Sequence, residues 1–423
     1  MTKNNSVAGE PGDPNCSMGL FNRSSKPPDE DAFAELVLRT LKEIGDRRPA
    51  TYDKENFRVV VKEDGDDAWL FNLRNIYSEY LSADAKDRSA LLRRSCLGLA
   101  SRVRMPDEFE DVKPDLLVTI CARSMPELMR LEEEGRGSKW KELACMPVSD
   151  HLIACLVFDL PTTMQYVTAD KLEQWGVSLY EAVEIARQNL AEREFKAASL
   201  GDRLYVFLTG DAFDAARMLL LDGIRTFELN GPPVAMAFSR DSLIITGADD
   251  IEGLGIMADL AERKAEEPRQ ICPIPHKLVE DDWEPWLPPP EHLHHEKFRV
   301  LRLKYLYGEY AEQKPLLDGQ HKRSGEDIFV ASYSAVEKNG KPLSYCLWSK
   351  GVNTYLPQTE FVALLDPQTK QTGLVPWDRL HAAFDHFMTP LDIYPPRWHV
   401  AEFPSPEEVE QLSVEDLSKE NGK

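Results

Sequence analysis

The longest strongly apolar run in this 423-residue chain, His151-Leu-Ile-Ala-Cys-Leu-Val-Phe-Asp159, is only as long as one buried strand. A membrane helix needs roughly 18–20 consecutive apolar residues, and no stretch comes near that. The chain must therefore bury its apolar residues by packing short strands against amphipathic helices. Hairpin signals recur along it. Phe57 to Val61 and Ala68 to Phe71 flank the turn-forming Glu63-Asp-Gly-Asp-Asp67. Val234 to Phe238 and Leu243 to Thr246 flank Arg240-Asp241, and two more apolar runs flank Asn339-Gly340. Hairpins interleaved with helical periodicities favour an α+β fold over a doubly wound parallel sheet. The expectation is a mixed or antiparallel sheet with packed helices, plus a smaller β-rich C-terminal domain with one helix.

The same patterns divide the chain into five parts. Residues 1–30 are rich in Gly, Pro, Ser and Asn and read as a disordered tail. Residues 31–105 read as a helix-hairpin-helix subdomain: Phe33, Leu36, Val37, Leu41 and Ile44 recur at helical spacing behind a cap at Asp29 or Asp31. Residues 106–290 read as an α+β domain. Its strands fall at 116–121, 143–147, 152–158 and 204–208, and its helices at 178–190, 213–221 and 254–264. Ser178 and Glu181 match the S-x-x-E capping box. The stretch 268–290, rich in Pro and Trp, is expected to close this domain and leave it as a stiff linker. Residues 291–404 read as the β-rich domain, with its helix at 377–388, and 405–423 as an acidic mobile tail.

Acidic residues number 72 against 50 basic ones, a net charge of −22. That balance excludes nucleic acid as a general partner, because a basic face supplies most of such affinity. It equally disfavours an anionic membrane surface. The N-terminus has no apolar segment of secretory type, and the seven cysteines are odd in number and widely spaced. They read as reduced thiols of a cytoplasmic protein.

Chemical motifs are sparse. Gly253-Leu-Gly255-Ile-Met-Ala258 fits G-x-G-x-x-A, but Asp249, Asp250 and Glu252 precede it where a pyrophosphate would sit, and no second βαβ strand follows. No cofactor is expected. Asp211 and Asp214 lie where a strand gives way to a helix; they read as N-cap and first-turn acid, with Arg217 pairing to them at the surface. His292, His295 and Glu296 form a weak metal-ligand candidate, since a helix would place two of them on one face. No C-x-x-C pair is present to complete a site, so an exposed linker end is favoured and no metal is assigned. His381, His386 and His399 are dispersed. Trp283 and Trp286 read as core cover. There is no G-x-S-x-G elbow or Walker loop.

Four segments carry a resemblance. They are Arg203 to Asp211 leading into Asp214-Ala-Ala-Arg217-Met-Leu, and Pro233 to Thr246 with its Arg240-Asp241 turn. The helix from Ser178 with Asn189-Leu190 near its end and the N-terminal helix plus hairpin complete the set. Over Phe33 to Trp286 the chain resembles the YtpQ-like bacterial family of unknown function. The resemblance implies a shape and supplies no activity, ligand or catalytic residue. It does make Arg240 and Asp241 the leading binding candidates, beside Asp211, Asp214 and Arg217. The reading is a non-enzymatic protein-binding or adaptor module with an unidentified protein partner. The alternative is an enzyme, such as a hydrolase, that assembles Asp214, Arg217, Asp241 and a histidine by folding.

Overall fold

The computed structural model describes residues 27–54, 57–62, 68–100, 105–160, 164–201, 203–264, 270–338, 340–368, 371–412 and 415–416. Most of the expected N-terminal tail, the turn at 63–67, Asn339 and residues 413–414 and 417–423 of the expected C-terminal tail lie outside those residues. The fold is α+β. The chain divides into two compact units, one ending at Ser101 and one beginning at Arg102, so residues 106–290 and 291–404 share the second unit.

In the first unit, helix α1 (Glu30–Glu43) starts at Asp29, whose side chain accepts the Ala32 N–H at 2.9 Å. A three-stranded antiparallel sheet follows: β1 (Ala50–Asp53), β2 (Arg58–Lys62) and β3 (Ala68–Asn72). Helices α2 (Arg74–Ser82) and α3 (Arg88–Ala100) complete it. Alternation on β2 turns Val59 and Val61 inward, where they meet Phe33, Val37 and Leu41 of α1 and Leu92 and Cys96 of α3. Strand β1 has no counterpart in the sequence reading.

The second unit opens with α4 (Phe109–Val112), β4 (Leu116–Ala122), α5 (Met125–Gly135), β5 (Cys145–Pro147), β6 (Leu152–Asp159) and β7 (Met164–Tyr166). Strand β6 is central: β4 pairs along one edge, and β5 and β7 share the other, all antiparallel. Both faces of β4 and β6 are buried, which explains why their sequences run apolar without alternating. Helices α6 (Ala169–Trp175) and α7 (Leu179–Glu192) follow. Ser178 caps α7 by accepting the Glu181 N–H, and Asn189 ties α7 to the start of β4 by donating to the carbonyls of Lys113 and Leu116 at 2.7 and 2.9 Å.

Next come β8 (Ala197–Leu200), β9 (Leu204–Phe207), α8 (Leu221–Ile224), β10 (Pro233–Ser239), β11 (Ser242–Gly247), α9 (Ile251–Lys264), β12 (His276–Val279) and β13 (Asp282–Pro285). The strands make a six-stranded antiparallel sheet in the order β13-β12-β10-β11-β9-β8. Two expectations need correction here. The helix expected at 213–221 is instead a 3₁₀ segment, Ala215–Leu219, followed by the one-turn α8. The Pro- and Trp-rich stretch is no linker, because its hairpin extends the sheet, and Trp283 is buried with its indole N–H on the Met218 carbonyl at 2.9 Å.

A further correction concerns the C-terminal region, where helix α10 (His295–Ser324) spans 30 residues. Its charges and Pro315 mask the apolar stripe of Phe298, Leu301, Tyr310 and Leu317 that faces inward. Beyond it lie β14 (Phe329–Val330), β15 (Ser334–Lys338), β16 (Lys341–Ser349), β17 (Thr354–Pro357), β18 (Phe361–Asp366) and β19 (Gln371–Pro376). Helix α11 (Trp377–Phe384), β20 (Thr389–Pro390), β21 (Arg397–Val400), α12 (Pro406–Gln411) and β22 (Glu415–Asp416) close the chain. The sheets run β14-β17-β21-β20 and β15-β16-β18-β19-β22, and each contains one parallel pair. Trp348, Trp377, Leu380 and Phe384 centre their core. Among the described residues no helix is long and apolar enough to cross a membrane.

The cysteine expectation also changes. Cys145 and Cys155 stand opposite each other on β5 and β6 and are joined as a disulfide. Cys96, Cys121, Cys272 and Cys346 are free and buried.

Candidate functional site

Asp211, Asp214, Arg217 and Asp241 converge where β9 enters the 3₁₀ segment and β10 turns into β11. The buried Arg217 forks across two carboxylates: Nη1 reaches Asp211 and Asp214 at 3.0 and 3.1 Å, and Nη2 reaches Asp211 at 2.7 Å. Asp214, also buried, accepts the backbone N–H groups of Thr209 and Gly210 at 2.9 and 3.2 Å. Asp241 accepts the N–H of Ala212 at 2.7 Å and so holds a residue whose φ of +67° is left-handed. Burial opposes the charge on Asp211, but the Arg217 guanidinium and the Phe213 N–H outweigh it and hold the carboxyl below its usual range. The expected surface ion pair is thus a buried one. In 3₁₀ geometry residues three apart eclipse, which sets Arg217 over Asp214. These side chains pair with one another and lock the junction, and Arg217 Nε is buried without a hydrogen-bond partner among the described residues.

Arg240 leaves its neighbour Asp241 and runs towards the other sheet. Its Nη2 donates to the Tyr166 hydroxyl at 2.5 Å, and Tyr166 Oη lies 3.4 Å from Cys121 Sγ. The structure therefore brings four of the five expected residues together and places the fifth in a different neighbourhood.

The His292 cluster does not converge. His295 Nδ1 hydrogen-bonds the Pro288 carbonyl at 2.6 Å, Glu296 pairs with Arg299, and His292 Nδ1 accepts the His294 N–H. Among the described residues no three His, Cys, Asp or Glu side chains are grouped to hold a metal ion. The glycines of the G-x-G-x-x-A stretch are explained by packing. A Cβ on Gly253 would sit 2.2 Å from Thr246 Oγ1, and one on Gly255 would sit 2.7 Å from His294 Nε2. His381 stacks on Trp377, His386 neighbours Asp385, and His399 pairs with Asn353.

A buried polar group escaped the sequence reading entirely. His151, at the start of β6, hydrogen-bonds the Tyr394 hydroxyl and meets the rings of His276 on β12 and Tyr305 on α10 edge-on, at 6.3 and 6.1 Å. Both His276 ring nitrogens, the Tyr305 hydroxyl and Glu309 Oε2 are buried without a hydrogen-bond partner among the described residues. Burial pushes the Glu309 carboxyl up to about 7 against the opposing Ser124 hydroxyl. Burial, with the charges of His276, Arg302 and Arg123 adding to it, depresses His151 to about 3. Burial likewise holds His276 down to about 4. Near neutral pH both imidazoles are uncharged. The one available signal was alternation, which puts His276 on the inward face of β12.

A second feature is open. A cleft of about 520 Å³ lies between β5, α7 and the loops before β10 and β13. Met146, Val148, Val183, Leu219, Leu221 and Trp283 form its apolar lining. Glu184, Arg187, Asp222, Arg225, Asp281 and Asp282 bring charge to it. Arg187 pairs with Glu184 at 2.7 Å and Arg225 with Asp281 at 2.5 Å, while Asp282 makes no ion pair among the described residues. No protein family, curated protein or solved structure matches the chain.

Proposed function

We propose that the chain is a non-enzymatic protein-binding module, and that the 520 Å³ cleft receives a short segment of its partner. The observation that carries this is the pairing of an apolar lining with an acidic edge. A cavity of this size holds one or two anchoring side chains. Four carboxylates face two guanidiniums, both already paired, so the edge favours Lys or Arg beside the anchor. Tyr180, 72 % exposed at the cleft, adds the kind of aromatic that dominates interface energies. Membership of the YtpQ-like family over Phe33 to Trp286 and a cytoplasmic site of action belong to the same reading.

A hydrolase built on Asp214, Arg217 and Asp241 has less support, because those groups are each other's partners or hold backbone. The discriminating experiment is a fluorescence-anisotropy screen of the full chain against extended peptides with apolar centres and either Lys or Glu flanks. Lys-flanked peptides should bind, and Asp282→Lys should weaken them at least tenfold. Equal binding of both flank types, unaffected by Asp282→Lys, would remove the proposal.

A further inference from the structure

We propose that Cys121, Cys145 and Cys155 form a thiol–disulfide exchange centre through which this protein trades two electrons with an external dithiol. The three sulfurs share one face of one sheet. Cys145 pairs directly with Cys155 across β5 and β6, and Thr119 pairs with Cys155 across β4 and β6. Cys121, two residues beyond Thr119, therefore lies diagonally beside Cys155 on the same face. The three residues pack in one cluster with Ile153 and Tyr166.

Three observations separate this arrangement from a structural staple. The disulfide spans a sequence separation of 10 between strands already joined by backbone hydrogen bonds, so closing it constrains the unfolded chain less than a bridge between distant segments would. A third, unbonded thiol beside it has no part in a staple but is what exchange needs. Finally, that thiol is served by a relay. Arg240 Nη2 donates to the Tyr166 oxygen, which leaves the Tyr166 O–H to donate to Cys121 Sγ. Burial pushes the Cys121 thiol up, while Arg240 and Tyr166 pull it back. On balance burial keeps Cys121 a thiol at rest, and Arg240 and Tyr166 reduce the cost of forming its thiolate. Cys145 sits half-buried on β5, which pairs with β6 along one side only, and is the most exposed of the three residues, so an outside thiol approaches there.

The internal step is redox-neutral. The Cys121 thiolate attacks Cys155 Sγ, the Cys121–Cys155 bond forms, the Cys145–Cys155 bond breaks, and Cys145 leaves as a thiolate that takes up a proton from solvent. The internal step reverses when the Cys145 thiolate attacks Cys155 Sγ and releases Cys121. The external step acts on the Cys145–Cys155 form, where one thiolate of the dithiol attacks Cys145 Sγ and displaces Cys155 as a thiolate that takes up a proton. The second thiolate then attacks the mixed disulfide and releases Cys145. The dithiol ends as a disulfide, and the protein gains two electrons and two protons.

The test is differential alkylation with peptide mass spectrometry on the full chain, with dithiothreitol as the dithiol and glutathione disulfide as the oxidant. Dithiothreitol should open Cys145–Cys155 in the native protein, and Cys145→Ser should yield a Cys121–Cys155 bond on oxidation. Arg240→Gln should slow that bond's formation at least tenfold and move the pH midpoint of Cys121 alkylation upward, with Arg240→Lys restoring part of both. A Cys145–Cys155 bond that dithiothreitol reduces only in urea would overturn the proposal. So would wild-type protein that, on partial reduction, never contains the Cys121–Cys155 peptide while a folded Cys145→Ser variant fails to form it.

Discussion

The His151 imidazole hydrogen-bonds the Tyr394 hydroxyl across 243 residues of sequence, both groups buried. That contact ties the start of β6 to the loop before β21. Tyr394→Phe deletes one hydroxyl and leaves a buried imidazole nitrogen without its partner, at an expected cost of about 1–3 kcal/mol. Tyr307→Phe, on an exposed ring of α10, should change stability by less than about 0.5 kcal/mol. Urea denaturation of the two variants measures the difference, and equal midpoints would show that the contact contributes nothing.

The group around His151 also sets a pH dependence. His151 and His276 are held at about 3 and 4 when folded, below their ordinary 6.5, so the unfolded chain binds protons first as pH falls. Their contribution is complete above 6.5 and declines below it, by about 2 kcal/mol for each histidine at pH 5. Glu309 acts in the opposite direction. Its folded value of about 7 exceeds 4.5, so its contribution is complete below 4.5 and is lost as pH rises through 7. Moving from pH 7 to 5 therefore returns about 2 kcal/mol through Glu309. The net expectation is a loss of about 2 kcal/mol between pH 7 and 5. His276→Leu should flatten the urea-midpoint profile and Glu309→Gln should steepen it. A profile that neither variant alters would refute the assignment.

How much of this was legible beforehand depended on sequence distance. Short-range signals did well: the Asp29 cap, the Ser178 cap and the hairpin of β10 and β11 all fall where periodicity and turn chemistry put them. Helix α10 was missed because half its surface is charged and a proline interrupts it, so the inward stripe is diluted. The candidate residues show the same division. Asp211, Asp214 and Arg217 lie within seven positions and were grouped correctly, though their burial was not foreseen. Arg240 meets Tyr166 from 74 residues away, and no local pattern encodes that meeting.

The junction held by Arg217 should be sensitive to loss of either partner. Asp214→Ala leaves Arg217 with Asp211 as its one carboxylate and frees the Thr209 and Gly210 N–H groups, at an expected cost of about 2–4 kcal/mol. Breaking the exposed pair of Lys54 and Asp31 by Lys54→Ala should leave the denaturation midpoint nearly unchanged. Matched denaturation curves test both, and an effect of Asp214→Ala as small as that of Lys54→Ala would contradict a buried ion-paired network.

Arg397 poses the reverse problem, a buried cation with no carboxylate hydrogen-bonded to it, and no partner for its Nη2, among the described residues. Its Nε donates to Gln313 Oε1 at 2.6 Å and its Nη1 to the carbonyls of Ala331 and Tyr355 at 2.8 and 3.2 Å, with the Tyr310 ring 5.0 Å from its guanidinium carbon. Burial lowers its pKa to about 10, with Tyr310, Cys346 and Asp318 opposing. A cation supported only by neutral oxygens depends on every one of them, because each lost acceptor leaves a buried N–H unsatisfied. Gln313→Ala, which also empties the volume of a buried side chain and leaves the Pro395 carbonyl without its donor, should therefore cost at least about 2–3 kcal/mol. In an Arg397→Met background the same substitution should cost much less, giving a coupling of about 0.5–3 kcal/mol in a double-mutant cycle. Additive costs would mean that Gln313 acts through its own packing and that the guanidinium is held by the two carbonyls and the Tyr310 ring alone.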